Sequence, residues 1–220
     1  MTNDACLPAG RNDELLFEKY LSELIAWNKK FNLTAITAPE EIRKKHFEDS
    51  LLLLEHLTLT NESVVDIGAG AGFPGIPLKI ARPGIKLTLL EATKKKVGFL
   101  EHISKTLGLT ETEAVWARAE DYAASRRESF DLAVARAVAD LRVLAELCLP
   151  LVKVGGLFVA WKEAAIEPEI EQSRNALTVL GGELSAVKKY PQRSLLLIKK
   201  VRPTPPRYPR RPGVAKKNPL

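Results

Sequence analysis

The stretch VVDIGAGAGFPG, at residues 64–75, places a short apolar run directly before four glycines: Gly68, Gly70, Gly72 and Gly75. A buried strand followed by a glycine-rich turn and a helix is typical of the nucleotide-binding corner of doubly wound α/β sheets. Glycine tolerates positive φ and lets a ligand approach the backbone closely. The stretch therefore predicts a parallel sheet with a ligand site at the end of its first strand.

An acidic residue follows at the position where such a site needs one. Glu91 ends the next apolar run, KLTLLE, and lies 19 residues after Gly72. A carboxylate there can accept hydrogen bonds from both hydroxyls of an adenosine ribose. The loop and the acid together favour a nucleoside-containing cofactor over a purely structural turn.

The loop itself indicates which cofactor. Gly70 to Gly75 fits G-x-G-x-x-G, so an NAD-dependent oxidoreductase remains an alternative. However, Asp66 precedes the loop, and Pro74 and Pro77 remove amide donors that a pyrophosphate would use. A carboxylate suits a cationic sulfonium instead, so S-adenosylmethionine is the predicted cofactor.

The rest of the chain alternates short apolar runs with amphipathic stretches, which predicts a mostly parallel sheet covered by helices on both faces. Five strands are predicted in SVVDIG, KLTLLE, EAVWA, FDLAVAR and GLFVAWK, and a closing antiparallel pair in LSAVKKY and SLLLIKKV. One predicted helix runs through DLRVLAELCLPLVKVGG and ends at Gly155-Gly156. The sheet should therefore contain seven strands.

Three regions are predicted along the chain. Residues 1–60 should form a helical cap with helices over 11–31 and 39–57, and residues 61–201 the sheet domain. Residues 202–220 are rich in proline, which predicts an extended arm without regular helix or central strand.

The charge distribution points to a possible partner. The net charge is +6, and residues 184–220 contain 11 Lys or Arg and no acidic residue. A basic tail on an otherwise mildly acidic body favours a polyanion such as nucleic acid. A solvated tail without a partner is the alternative.

Several polar residues are candidates for the site. Arg136 ends the fourth strand and should lie at its mouth, because ligands bind outside the carboxyl ends of parallel strands. Ala119 and Glu120 follow the third strand, where they would contact adenine or simply provide surface charge. His46 and Asp49 share one helix face and would contact substrate or pin the cap to the sheet.

The target atom should carry its own lone pair. The Asn/Asp-Pro-Pro-aromatic loop that serves exocyclic amino groups is absent after the fourth strand, which continues ARAV. Cys148 lies in an apolar helix, Cys6 forms no motif with it, and no metal site is predicted. Guanine N7 is unprotonated at neutral pH and needs only positioning.

The sequence resembles the RsmG (GidB) family of bacterial small-subunit ribosomal RNA methyltransferases over essentially its whole length. The resemblance is carried by WNKKFNLTAIT, KHFEDS, VVDIGAGAGFPGIPLKIARP, LLEATKKKVGFL, RAEDY, AVARAVA and YPRRPG…KKNPL. It implies a Rossmann-like class I S-adenosylmethionine methyltransferase that methylates guanine N7 in the decoding region of 16S rRNA. The cofactor contacts that the resemblance implies are Gly68, Phe73, Glu91, Ala92, Thr93, Ala119, Glu120 and Arg136. The glycine loop itself adds Gly70 and Gly72 to these predicted contacts. The catalytic or substrate-side residues would be His46, Asp49, Arg136 and Lys162.

The expected partner is 16S rRNA or the 30S subunit. We expect a cytoplasmic monomer without an obligate protein partner, a signal peptide or a membrane span. A non-catalytic RNA-binding module on the same fold and an NAD-dependent oxidoreductase remain the alternatives.

Overall fold

The computed structural model describes residues 11–136 and 139–220. It contains one sheet of seven strands: β1 Ser63–Ile67, β2 Lys86–Glu91, β3 Thr112–Trp116, β4 Phe130–Arg136, β5 Val152–Lys162, β6 Gly182–Tyr190 and β7 Arg193–Lys200. The predictions for the N-terminal stretch, including Cys6, and for Ala137 and Val138 of the ARAV segment lie outside the described residues.

The strand order is β3-β2-β1-β4-β5-β7-β6, and β7 runs antiparallel to both of its neighbours. The pairs among β3, β2, β1, β4 and β5 are all parallel. This confirms the predicted seven-stranded, mostly parallel sheet with a closing antiparallel pair. The chain order reverses beside β1, so β1 and β4 flank the point where a ligand crevice forms.

Helices cover both faces of the sheet. They are α1 Arg11–Phe31, α2 Pro39–Ile42, α3 Asp49–Leu51, α4 Gly75–Ala81, α5 Lys94–Thr106, α6 Ala119–Arg126, α7 Leu141–Cys148, α8 Glu167–Leu180 and α9 Val214–Lys217. A π-helical turn, Arg43–Glu48, joins α2 to α3, and 3₁₀ turns follow at Leu52–Glu55 and Leu149–Leu151. No described helix is long and apolar enough to span a membrane.

Alternation along the strands creates two apolar layers. Val64 packs in the layer that holds Tyr20 and Leu24 of α1, whereas Val65 packs in the layer that holds Leu144 of α7. The cap therefore shares an apolar core with one face of the sheet. The domain divisions at 60/61 and 201/202 stay predictions.

Four local expectations differ from the structure. The helix predicted through Gly155-Gly156 is wrong: α7 ends at Cys148, and β5 already begins at Val152. Pro150 cannot continue a helix, and the β-branched Val152 and Val154 favour a strand. Helix α6 was not predicted, the second cap helix ends at Glu55 rather than Leu57 and contains a π-helical turn, and the arm contains the short helix α9.

Candidate active site

The glycine loop between β1 and α4 owes its glycines partly to packing within the protein. Gly68, Gly70 and Gly72 all have positive φ, at 72°, 61° and 96°. A Cβ on Gly72 would lie 2.4 Å from Ile76 Cδ1 and 2.7 Å from the Tyr20 hydroxyl. The space beside Gly72 is therefore filled by α1 and α4, which leaves Gly68 as the loop glycine that lines the neighbouring cavity.

Asp66, near the end of β1, supports this loop from below. Its side chain is fully buried, and Oδ2 accepts a hydrogen bond from the Gly75 amide at 2.8 Å. Oδ1 has no hydrogen-bond partner within the described chain. Burial raises the pKa of Asp66 to about 7, against the opposing influence of the Gly75 amide and Arg136 and with a further contribution from Glu91.

Glu91 ties the loop to the end of β2. Its Oε2 accepts from the Gly70 amide at 3.0 Å, and its Oε1 accepts from the Thr93 amide at 2.8 Å. Each carboxylate oxygen has a second acceptor position, so Glu91 retains capacity for two hydroxyl donors. The side chain is thus held in place before any ligand binds.

A cavity of about 750 Å³ lies at the carboxyl ends of β1, β2 and β4. The predicted residues that line it are Gly68, Glu91, Ala92, Ala119, Glu120 and Arg136. The other predicted cofactor residues, Gly70, Gly72, Phe73 and Thr93, do not line it. The structure therefore brings six of the ten predicted residues together around one cavity. Of the other four, Gly70, Gly72 and Phe73 belong to the loop between β1 and α4, and Thr93 donates its amide to Glu91.

Arg136 connects this cavity to the helical cap. Its guanidinium donates to Asp49 Oδ2 at 3.2 Å and to His46 Nδ1 at 3.1 Å, and it lies 4.8 Å from the centre of the Phe73 ring. Asp49 also accepts from Arg193 Nε at 3.0 Å, and its backbone carbonyl accepts from the Trp161 indole. The predicted trio of His46, Asp49 and Arg136 is therefore a contiguous, largely buried cluster.

His46 is held in its neutral form. Burial, together with the charges of Arg136 and Arg193, lowers its pKa to about 4. Because Arg136 donates to Nδ1, the ring proton lies on Nε2 and is donated to Thr34 Oγ1 at 2.8 Å. The ring also stacks on Phe73, with centroids 4.5 Å apart.

The π-helical turn positions these groups. His46 lies within Arg43–Glu48, and Asp49 and Ser50 follow immediately. Such turns widen a helix and often occur at functional sites. Here the carbonyl of His46 lies 3.4 Å from the Arg136 guanidinium, so backbone and side chains of one turn surround the same cation.

Lys162 occupies a different position from the trio. Its ammonium pairs with Glu169 Oε1 at 2.6 Å and donates to the Ala139 carbonyl at 2.8 Å. It lines a separate cavity of about 330 Å³, which Arg193 also lines. No hydrogen bond within residues 11–136 and 139–220 joins Lys162 to His46, Asp49 or Arg136. Its substrate-side role stays a prediction.

Glu120 is in the first turn of α6, directly after Ala119, and the C-terminal arm reaches it. Its Oε1 accepts a hydrogen bond from the Gly213 amide at 3.1 Å. Gly213, Ala215, Lys216 and Pro219 line the same cavity as Glu120. Sequence reasoning missed these arm residues, although the YPRRPG…KKNPL segment was part of the resemblance.

Two further site residues were missed. Tyr20 of α1 is fully buried, donates to the Ala71 carbonyl and stacks on Phe73 at 5.4 Å. Arg193 at the start of β7 shares Asp49 with Arg136. Both are distant in sequence from the glycine loop, so no local spacing signals them. In the described ranges, no group of three or more His, Cys, Asp or Glu side chains could hold a metal ion.

Comparison with known sequences decides the family. A family model described as rRNA small subunit methyltransferase G (GidB) matches residues 13–197. The ribosomal RNA small subunit methyltransferase G of Geobacillus sp. (strain WCH70) is 46% identical over 213 residues, covering 93% of this chain and 90% of the relative. The chain belongs to the rRNA small subunit methyltransferase G family. A relative of the same name from Alkaliphilus metalliredigens (strain QYMF) is 48% identical over 210 residues, covering 91% and 88% of the two chains.

Solved structures share the fold of this methyltransferase G family member at low sequence identity. A ribosomal protein L11 methylase from Lactobacillus delbrueckii subsp. bulgaricus matches with a TM-score of 0.55 and 19% identity, covering 72% of this chain and 79% of that one. A T. thermophilus 16S rRNA N2 G1207 methyltransferase in complex with AdoMet and guanosine gives 0.51 and 18%, covering 71% and 40%. The predicted Rossmann-like class I fold is confirmed.

Membership of the methyltransferase G family confirms that the chain is a methyltransferase with S-adenosylmethionine as cofactor. It decides against the NAD-dependent and non-catalytic alternatives. The residues fit this cofactor, because the 750 Å³ cavity lies within the size range of ligand sites. Glu91 has free acceptor capacity, and the buried Asp66 has an unpartnered oxygen beneath the loop. The Glu91 carboxylate complements a cationic ligand better than it would a pyrophosphate.

Proposed function

We propose that this protein methylates N7 of a guanine in the decoding region of 16S rRNA, acting in the cytoplasm on the rRNA or on the 30S subunit. The names of its relatives, ribosomal RNA small subunit methyltransferase G, support an rRNA substrate. The observation that carries the choice of atom is the cluster of His46, Asp49 and Arg136, which offers no free general base.

Both groups of this cluster that could remove a proton are already committed. His46 is neutral, but its acceptor nitrogen receives a hydrogen bond from Arg136. Asp49 is paired with Arg136 and Arg193. Burial raises the pKa of the Cys148 thiol well above its usual range, so it cannot serve as a nucleophile. This arrangement suits a target nitrogen that has a lone pair and no proton to lose.

Arg136 and Glu91 are the residues that would position the reactants. Arg136 lines the cofactor cavity and also contacts Asp49 of the cap, which supports a position for its charge between the cofactor and an incoming base. Glu91 would hold the ribose hydroxyls. When bound, S-adenosylmethionine supplies an electrophilic methyl group that an unprotonated ring nitrogen can accept directly. The contribution of the protein is therefore orientation and exclusion of water.

A second cavity supports an RNA substrate. It measures about 560 Å³ and lies between the π-helical turn and the β6–β7 hairpin. Its basic lining residues are Lys44, Lys45, Arg82 and Arg193. Three acidic residues, Glu48, Asp49 and Glu55, line it too, and through Asp49 the cavity adjoins the Arg136 cluster. Phosphate contacts from such cations position a nucleic acid without reading its sequence.

Lys162 would act on the substrate indirectly, by fixing the position of the loop after β4. Its bond to the Ala139 carbonyl fixes a residue that lines both the cofactor cavity and the smaller cavity beside Lys162. The ion pair with Glu169 supports that position, since Glu169 also accepts from the Leu141 amide. We therefore assign Lys162 a positioning role on the substrate side.

The test is methyl transfer from labelled S-adenosylmethionine to 30S subunits that lack the modification, followed by strand cleavage specific for N7-methylguanine. One labelled guanine in 16S rRNA that cleaves supports the proposal. Arg136→Lys should lower the rate on the order of 100-fold, because one ammonium cannot replace the forked contacts. The exposed Arg174→Lys is the matched control and should leave the rate unchanged. Label that resists cleavage would refute the N7 assignment.

A further inference from the structure

The C-terminal arm does not extend into solvent; it packs along the sheet face covered by α6, α7 and α8. Tyr208 is 7% exposed and Ala215 is 2% exposed, and Tyr208 belongs to the apolar layer of that face. The Arg127 side chain donates to the carbonyls of Tyr208 and Pro205, and Thr204 Oγ1 donates to the Leu180 carbonyl. The arm is thus part of the folded domain.

A buried ion pair fastens the arm to α7. Glu146 is fully buried, and its carboxylate accepts from Arg210 Nε at 2.8 Å and from Arg210 Nη2 at 2.5 Å. The Arg210 backbone amide adds a third bond at 2.8 Å. Within the described residues, Arg210 is the only ion-pair partner of Glu146. Removing one member of such a pair leaves a buried charge without compensation.

Beyond this fastening, the arm reaches the cofactor cavity. The turn at Gly213 leads into α9, and the Gly213 amide donates to Glu120 Oε1. Ala215, Lys216 and Pro219 then line the cavity that also contains Gly68 and Glu91. One oxygen of the Glu120 carboxylate is therefore held by the arm.

We propose that the arm forms one wall of the S-adenosylmethionine site through Gly213, Ala215, Lys216 and Pro219 and positions Glu120, with Lys216 as a cofactor-facing residue. The assignment rests on the cofactor established for the methyltransferase G family, but it does not depend on the rRNA atom that is methylated. It also changes the role of the basic arm. The charge of Arg210 is neutralised by Glu146, so the main role of the arm in this proposal is to complete the cofactor site rather than to bind RNA.

The test is the Kd of S-adenosylmethionine, measured by calorimetry. The parent is the full-length wild type, and the truncated protein lacks residues 209–220 and carries Glu146→Gln, so that no unpaired carboxylate is left buried. Relative to this parent, truncation should raise Kd about tenfold, because the Glu120 contact and one wall are lost. The affinity for 30S subunits should stay unchanged.

Two lysines of the wild-type arm provide a matched pair. Both are exposed, but only Lys216 lines the cavity. We expect Lys216→Ala to raise the cofactor Kd about threefold and Lys217→Ala to leave it unchanged. Equal weakening by the two variants would reveal a general charge effect and would overturn the proposal.

Amide hydrogen exchange of the full-length wild-type protein gives a readout that needs no variant. Saturating S-adenosylmethionine should slow exchange over residues 211–218. Unchanged exchange there, or equal cofactor Kd for the truncated and parent proteins, would overturn the proposal. Truncation that weakens only 30S binding would identify the arm as an RNA contact instead. Methylation at an atom other than N7 would refute the proposed reaction and leave the cofactor wall standing.

Discussion

Replacing Asp66 by asparagine should change how the stability of the cofactor-free protein depends on pH. Asp66 is fully buried beneath the glycine loop, and its pKa rises from an unperturbed 3.8 to about 7. The folded state therefore keeps a proton that the unfolded chain has released. Asparagine cannot ionise, so Asp66→Asn should remove this contribution while retaining a carbonyl that can accept from the Gly75 amide.

The sign and size follow from linkage. A carboxyl group whose folded pKa is raised stabilises the protein fully below pH 3.8, and that stabilisation is lost as pH rises through 7. The shift of about three units corresponds to roughly 4 kcal/mol in total, at about 1.4 kcal/mol per unit. Of this, roughly 2.5 kcal/mol should be lost between pH 5 and pH 8.

Urea unfolding at pH 5 and pH 8 measures the effect. For each protein, the free energy of unfolding at pH 8 is subtracted from that at pH 5, and the two differences are then compared. The difference for the wild type should exceed that for Asp66→Asn by roughly 2.5 kcal/mol. The comparison removes the contribution of His46, which acts in the opposite direction over the same range. The exposed Asp121→Asn is the matched control and should behave as the wild type.

Equal pH dependence in the wild type and Asp66→Asn would refute the reasoning. It would mean that Asp66 ionises in the folded protein near its ordinary pKa. In that case water or an alternative loop arrangement must solvate Oδ1, and the carboxyl group could not serve as the buried support described here.

Three further predictions concern the same site. Asp49→Asn should destabilise the protein by about 3 kcal/mol in urea, because Arg136 and Arg193 lose their shared carboxylate, and a loss below about 1 kcal/mol would contradict this. Because the pKa of His46 is lowered from 6.5 to about 4, the wild type should lose roughly 3 kcal/mol of unfolding free energy as pH falls through that range, and His46→Gln should flatten this decline. An unchanged slope would show that His46 does not titrate as described. Gly72→Ala should destabilise by at least about 2 kcal/mol in thermal unfolding, because its φ is 96° and its Cβ would overlap Ile76, whereas Gly98→Ala, with open space around it, should be neutral or stabilising; similar melting temperatures for the two variants would contradict the packing argument.

Much of the fold was predictable because its signals are local. Buried parallel strands are visible in the sequence as short apolar runs. The distance between the glycine loop and Glu91 is the one that a strand, turn, helix and second strand require. The errors arose where local signals compete. Pro150 and the valines after it convert the end of an apparent helix into β5, and the proline-rich arm accommodates α9 once the rest of it is packed.

The candidate site was predictable in part for the same reason. Arg136 and Glu91 end strands, so their place at the carboxyl edge follows from topology alone. Residues whose role depends on distant neighbours gave no such signal. Tyr20 lies in α1 and Arg193 in β7, and both are too far along the chain from the residues they contact for a short sequence motif to include them.

The amino-acid sequence by itself determined the class of fold, the cofactor loop and the family, because glycine, proline and apolar periodicity act over a few residues. Tertiary structure alone decided the chemistry of the cluster. Burial makes His46 neutral, a shared carboxylate joins Arg136 to Arg193, and a buried ion pair draws the basic arm onto the cofactor cavity. These effects depend on desolvation and on contacts between distant segments, which exist only once the chain is folded.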